Sequence, residues 1–333
     1  MPAPSPRYRV LLTDRAWPDT EVERAILSEI GAELVEPADA REDTLCKLAA
    51  DADAIATNWA AVTAAVVRAA RRCRIISRLG IGLDNIDVAV ATELRIPVTN
   101  VPDYCIGEVA DHALALLLAC ARNVAFFHVR TKRGEYRLQD GPGMPRLAGK
   151  RLGLVGLGRI AQGVAGRARA LGMEVIAHTA SGNDHGTGCP MLSLDALLAE
   201  SDFVSLHVPL VPQTRHLLGL AQFENMKRSA YLINTARGGL IDHAALWVAL
   251  ERNLIAGAAL DVFEPEPPDL SLPLFRDERV IVTPHAAFVS QESLIELRTR
   301  VSRQIVDVLS GRRPENVVNP DVSGRARAGA PAD

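Results

Sequence analysis

The sequence predicts an α/β protein made of two parallel-sheet domains. Three observations carry that expectation. Short apolar runs alternate with segments of helical period along nearly all of the 333 residues, the order that gives parallel sheets. The apolar run 152–155 passes at once into Gly156-x-Gly158-x-x-Ala161 and a helical repeat of Ile160, Val164, Ala168 and Leu171, stopped by Gly172. The alternation also breaks at 100–105 and starts again, so a second α/β unit follows the first.

In chain order, residues 10–12 form a strand, and Asp19 caps a helix over 21–30 that Gly31 ends. Next come a strand over 32–35, a helix through 45–50, a strand over 54–57 and a helix over 64–70 capped by Thr63. A strand over 75–79, a helix near 88–94 and a strand around 97–99 complete the first unit. After the break, a helix over 108–122 is apolar almost all round and therefore buried, and a polar segment (133–145) leads to the glycine turn. Further strands are expected at 174–177, 203–207, 230–234, 257–262 and 280–283. Helices lie between them, among them 242–251 capped by Asp242. The last helix, 291–310, ends at Gly311 and lies beyond the second unit's final strand. Its return to the first unit makes that domain discontinuous: 7–101 plus 287–320 form one domain and 102–286 the other. Hinges are expected at 100–103 and 284–288, a cleft between the domains, and disordered tails at 1–6 and 321–333.

Strand, glycine turn and helix in this order make the phosphate-binding corner of a Rossmann-like dinucleotide fold, and the whole reads as two Rossmann-like or flavodoxin-like domains. Gly156 permits the turn, Gly158 lets the backbone approach a pyrophosphate, and a small Ala161 lets helix and strand pack closely.

Bulk properties narrow the partners. No apolar run reaches the roughly 18 residues of a membrane span. A net charge of −3 and a pI near 6.3 give no electrostatic support for nucleic-acid binding. The start, Met1-Pro-Ala-Pro-Ser-Pro6, lacks a basic and apolar leader. Cys46, Cys73, Cys105, Cys120 and Cys189 are scattered without C-x-x-C, so reduced thiols in a cytoplasmic protein are expected.

Three polar residues follow strand ends in the second unit, where open sheets bind ligands. Arg237 offers a planar fork for a carboxylate, His285 supplies an imidazole, a group able to give and take a proton, and Glu266 is a carboxylate able to fix a histidine tautomer. Singly they read as a surface ion pair, a loop histidine and a solvated turn. Together they suit hydride transfer to a 2-oxo acid. His178, His185 and Cys189 lie on or beside a glycine-rich loop without a ligand pair on a rigid element, so no metal is expected. His112 and His128 are expected to be packing or surface residues.

The chain resembles the D-isomer-specific 2-hydroxyacid dehydrogenase family over nearly its whole length. The resemblance rests on Arg78-Leu-Gly-Ile-Gly-Leu-Asp-Asn-Ile-Asp87, the Gly156 turn, 201–210, Ile233-Asn-Thr-Ala-Arg-Gly-Gly-Leu-Ile-Asp242, Ala259-Leu-Asp-Val-Phe-Glu-Pro-Glu-Pro267 and Thr283-Pro-His285. Residues 100–105, 108–112 and 283–290 look most like the branch of the C-terminal-binding proteins. The resemblance implies Arg237, Glu266 and His285 as a catalytic triad. It implies that the Ile81 and Gly82 amides hold the substrate carboxylate, that Asp261 lies near the nicotinamide, and that the protein is a homodimer built mainly through its nucleotide domains. NAD is the expected cofactor, with NADP tolerated, and its expected site comprises Gly156, Gly158, Arg159, Ile160, Thr179, His207, Thr235, Asp261 and Val109.

Two positions depart from the family pattern. NAD-specific members carry Asp at the end of the second strand, where this chain has Thr179, and no Arg or Lys follows nearby for a 2′-phosphate. Corepressor members of the C-terminal-binding branch have Trp where this chain has Phe288. The expected activity is NAD(P)-dependent interconversion of a 2-oxo acid and a D-2-hydroxy acid. The alternative is a dinucleotide-sensing, corepressor-like interaction protein. Asn58, Trp59, Tyr104 and Phe288 are expected to converge on the substrate's side chain in a largely apolar pocket that favours medium aliphatic or aromatic 2-oxo acids over dicarboxylates.

Overall fold

The computed structural model describes residues 6–322. Apart from 6, 321 and 322, the expected tails lie outside these residues. The chain divides into two compact units. One holds the described residues through Tyr104 and from Ser290 onward, the other Cys105–Val289. Each crossing falls three residues later than the expected 101/102 and 286/287.

The first unit runs β1 (Tyr8–Leu12), α1 (Glu21–Ser28), β2 (Ala32–Val35), α2 (Glu42–Ala49), β3 (Ala54–Thr57), α3 (Ala64–Ala69), β4 (Ile76–Arg78), α4 (Val88–Glu93) and β5 (Val98–Thr99). Its parallel sheet has the order β2-β1-β3-β4-β5. Leu45, Val66, Val67 and Ala91 from the helices share a core with Leu11, Ile55 and Ile76 from the strands. The local signals act as expected at Thr63, whose hydroxyl accepts the Val66 amide, and at Gly31, where φ is +66°. At α1 the capping position is Thr20 rather than Asp19, which instead accepts the Glu21 amide from one residue further out. The helix stops at Ser28, two residues short of the expected end, and α2 starts three residues early.

The second unit contains α5 (Ile106–Ala121), α6 (Val124–Lys132), β6 (Arg151–Val155), α7 (Arg159–Ala170), β7 (Glu174–His178), α8 (Leu194–Glu200), β8 (Phe203–Leu206), α9 (Leu220–Asn225), β9 (Tyr231–Asn234), α10 (His243–Glu251), β10 (Gly257–Leu260), α11 (Pro273–Arg276) and β11 (Val280–Val282). The sheet is parallel in the order β11-β10-β9-β8-β6-β7. α5 buries Val109, Ala113, Leu116, Leu117 and Cys120, as its apolar composition requires. α6 was not expected. It follows Asn123, which turns the chain at φ +51°, and none of its residues is buried, so it carries no apolar face for a periodicity reading to detect.

α12 (Gln291–Leu309) returns to the first unit. Its buried Arg298 donates to Glu23 at 2.8 and 2.9 Å and to Asp19 at 2.8 Å, fixing it against α1. Beyond it, Asn319 Oδ1 accepts the Val98 amide at 2.8 Å, which ties the chain end to β5. Among the described residues no single helix is long and apolar enough to cross a membrane. α5 and α6 meet that test only as a pair bent by 65°. The five cysteines form no disulfide.

Candidate active site

Strand register gathers the site. His178, Val155, Leu206, Asn234, Leu260 and Val282 form one row across the second sheet. The next residue of each strand, namely Thr179, Gly156, His207, Thr235, Asp261 and Thr283, therefore leaves the sheet at the same carboxyl edge. β7 and β8 flank β6 on opposite sides, so the chain reverses its winding direction there, the place where open α/β sheets take ligands.

The glycine corner sits at that reversal. Gly156 has φ +94°, and a Cβ on it would lie 2.7 Å from the His207 carbonyl oxygen, so the protein itself requires glycine. Gly158 is different. Its φ is −70°, and a Cβ there would meet nothing within 4 Å. Gly158 caps α7, and the amides of Gly158, Ile160 and Ala161 donate to no acceptor among the described residues. Open donors at a helix N-terminus, beside a residue whose missing side chain leaves empty space, fit the pyrophosphate of a dinucleotide. The Thr235 hydroxyl, buried without a partner among the described residues, adds a polar group at the same edge. Dense protein around His207 pushes its pKa down to about 4, so the ring is neutral at neutral pH and pairs with the Ser205 hydroxyl at 2.9 Å.

At the second-strand end, Thr179 donates to the Asn183 carbonyl at 3.3 Å and lies 3.5 Å from the Ser181 hydroxyl. Arg159 opens α7 and is exposed, beside Ile160. Val109 is buried in α5. Arg215 is engaged by Glu264 at 2.7 and 2.8 Å.

The three catalytic candidates stand beyond β9, β10 and β11. His285 Nδ1 lies 2.7 Å from Glu266 Oε2, while Glu266 Oε1 accepts the Phe263 amide at 2.7 Å. A carboxylate only accepts, so Nδ1 carries the proton of this pair. The Phe288 ring packs edge-on against the imidazole with centroids 6.0 Å apart. Arg237 donates to the Ala236 carbonyl at 2.8 Å, and its loop is pinned by Asn234, whose amide nitrogen donates to the Arg237 carbonyl. Next to it, a Cβ on Gly238 would fall 1.9 Å from the Phe263 carbonyl carbon. Only glycine permits this approach, which brings the Arg237 loop against the segment leading to Glu266.

The family model described as D-isomer specific 2-hydroxyacid dehydrogenase, NAD binding domain, matches residues 114–287. D-3-phosphoglycerate dehydrogenase of Methanocaldococcus jannaschii is 41% identical over 316 residues, 93% of this chain and 59% of its own length. Hydroxypyruvate reductase of Thermotoga maritima is 38% identical over 308 residues, 90% of this chain and 97% of its own. The chain belongs to the D-isomer-specific 2-hydroxyacid dehydrogenase family. A Thermus thermophilus protein of known structure superimposes on this family member with a TM-score of 0.85 at 36% identity, covering 93% of this chain and 99% of the other. The chain thus spans well under two thirds of the Methanocaldococcus dehydrogenase and nearly all of the Thermotoga reductase.

Within this dehydrogenase-family unit, one expectation changes. His112 is no packing residue: its Nε2 lies 3.0 Å from the Thr283 hydroxyl and 3.5 Å from Asp261. Its sequence context, an apolar helix, carried no sign of this, because the partners lie about 150 to 170 residues away. Asp261 is enclosed by protein. Burial pushes its pKa upward, but hydrogen bonds from His112, Thr283 and the Ala286 and Ala287 amides outweigh that and hold the carboxyl below its ordinary value. His128 is exposed, as expected.

In the first unit, Asp14 accepts the Asn58 and Trp59 amides at 3.0 and 2.7 Å, and Trp59 is 41% exposed while Tyr104 is buried. The amides of Ile81 and Gly82 donate to no acceptor among the described residues. No group of three or more His, Cys, Asp or Glu side chains among the described residues is arranged to hold a metal.

Proposed function

We propose that the chain interconverts a 2-oxo acid and a D-2-hydroxy acid, with His285 as the proton donor and acceptor, Glu266 as its orienter and Arg237 as the carboxylate clamp. The observation that carries this reading is the 2.7 Å His285–Glu266 pair, on the same sheet edge as the glycine corner. Gly156, Gly158, Ile160 and Thr235 would hold a nicotinamide dinucleotide, which when bound supplies or takes up the hydride. The chain's own residues do the rest. With Glu266 engaging Nδ1, the opposite nitrogen, Nε2, gives a proton to the carbonyl oxygen in reduction and removes it in oxidation. The Arg237 fork binds the substrate carboxylate and polarises the neighbouring oxo group. The Ile81 and Gly82 amides, unengaged within the chain, are assigned to the same carboxylate. Trp59, Tyr104 and Phe288 are assigned to the substrate side chain, and the placement among the C-terminal-binding branch rests on its three motifs alone.

Relatives named glyoxylate reductase and hydroxypyruvate reductase favour small 2-oxo acids as substrates. The test is a panel of glyoxylate, hydroxypyruvate, and aliphatic, aromatic and dicarboxylic 2-oxo acids with NADH or NADPH, followed by loss of reduced-cofactor absorbance. Turnover of a monocarboxylic 2-oxo acid supports the reading, and inactivity across the panel with both cofactors overturns it.

We also assign a homodimer to the surface formed by α6 and the segment after it. Val124, Tyr136 and Leu138 are 56%, 91% and 70% exposed there, a run of large apolar side chains that a second copy would cover. Light scattering on the purified protein giving a monomer mass would refute this.

A further inference from the structure

The buried Asp261 carboxylate is the centre of a network that runs from α5 to the turn carrying His285. Its Oδ1 accepts the Thr283 hydroxyl at 2.5 Å and the Ala286 amide at 2.9 Å, and its Oδ2 accepts the Ala287 amide at 2.9 Å. The Asp261 carbonyl accepts the His285 amide at 2.8 Å. Residues 283–287 are thus held from one side by one residue. His285 itself has φ +52°, a left-handed conformation that a non-glycine residue keeps only where its surroundings impose it.

The network also fixes a proton. A threonine hydroxyl has one hydrogen, and at 2.5 Å from an acceptor-only carboxylate Thr283 gives it to Asp261. The Thr283 oxygen therefore accepts from His112, 3.0 Å away, and His112 Nε2 is the donor; the same nitrogen lies 3.5 Å from Asp261 Oδ1, so its N–H leans chiefly on Thr283 and secondarily on the carboxylate itself.

We propose that His112 is a positioning residue for His285: by donating from Nε2 to Thr283 it locks Thr283 onto Asp261 and so holds the left-handed turn that presents the imidazole to Glu266. The role rests on the reading of His285 as the proton-transferring group. Without the His112 donor, the Thr283 hydroxyl is free to rotate off Asp261, and the clamp on 283–287 loosens from its outer end. A loosened support of this kind costs turnover more than it costs ground-state binding.

Five variants of the full chain test it: His112→Leu, His112→Gln, Thr283→Val, His112→Leu with Thr283→Val, and His285→Ala. His112→Leu should lower kcat about 10- to 100-fold, with KM for the 2-oxo acid and Kd for NADH within about threefold of wild type. His112→Gln keeps an N–H donor of similar reach and should recover kcat to within about fivefold. Thr283→Val should reproduce the leucine loss, and the double variant should be no worse than either single one, because one chain of bonds breaks once. If His112→Leu does not fold, Thr283→Val and His112→Gln carry the comparison. The proposal is overturned by a kcat within about twofold of wild type in His112→Leu or Thr283→Val, by additive losses in the double variant, or by no recovery in His112→Gln. Those results leave the reading of His285 standing if His285→Ala is inactive. A His285→Ala variant that works at the wild-type rate overturns that reading instead.

Discussion

Gly156 and Gly158 lie two residues apart in one turn, yet alanine at each should have opposite effects. At Gly156 the φ of +94° is one an L-residue rarely adopts, and the new Cβ would sit 2.7 and 2.8 Å from the oxygen and carbon of the His207 carbonyl, which is backbone and cannot swing away. Backbone strain of this kind costs about 1–3 kcal/mol, and forcing a methyl into packed backbone adds about 1–3 kcal/mol. At about 2–4 °C per kcal/mol for a unit of this size, Gly156→Ala should lower Tm by roughly 4–24 °C. At Gly158 the φ of −70° suits alanine and nothing lies within 4 Å of the new methyl. The weaker helix cap, about 1 kcal/mol, is largely offset by the lost flexibility of the unfolded chain, so Tm should move by no more than about 2–3 °C. The methyl would instead stand where the pyrophosphate approaches. Losing one or two charge-assisted hydrogen bonds of about 1.5–3 kcal/mol each raises the NADH Kd at least about tenfold. Scanning calorimetry and a fluorescence titration with NADH measure both quantities. Wild-type NADH affinity in Gly158→Ala would refute the placement of the pyrophosphate, and an unchanged Tm in Gly156→Ala would refute the steric argument.

Four further outcomes are expected. His285→Ala should lower kcat about 10²–10⁴-fold with NADH affinity near normal, and Glu266→Gln should fall between that variant and wild type in steady-state assays. Arg237→Lys should raise KM and lower kcat together, and simple aldehydes should be poor substrates beside the matching 2-oxo acids, because a fork grips the carboxylate in both ground and transition states. Thr179 lacks the charge to repel a 2′-phosphate, so kcat/KM for NADH and NADPH should differ by less than about a thousandfold; Thr179→Asp should sharpen the preference for NADH and Thr179→Arg shift it toward NADPH. His207 has a pKa of about 4 against 6.5 in the unfolded chain, so only the unfolded state takes up its proton between those values. Its share of stability is present above about pH 6.5 and is lost as the pH falls toward 4, by up to about 3 kcal/mol, and a His207→Asn variant should flatten that part of the stability–pH curve.

The sequence by itself determined what depends on local pattern. The βα alternation is written in short apolar runs and helical spacing, and the caps at Thr63 and Asp242 and the stops at Gly31 and Gly172 need only neighbours in the chain. The candidates Arg237, Glu266 and His285 were legible because each follows a strand end, and in a parallel sheet every strand ends at the same edge. Tertiary structure decided the rest. Register alone set Thr179, Gly156, His207, Thr235, Asp261 and Thr283 in one row, since no single strand records its offset from the next. Gly238 is required by the Phe263 backbone pressed against it, and the left-handed turn at His285 by a carboxylate 24 residues earlier. α6 was not legible because a helix with no fully buried residue shows no clear apolar period, and the role of His112 was not because a hydrogen bond across about 170 residues leaves no trace in the pattern around either partner. Periodicity reports the environment of a face, whereas the partner of a buried polar atom is fixed only when distant segments are packed together.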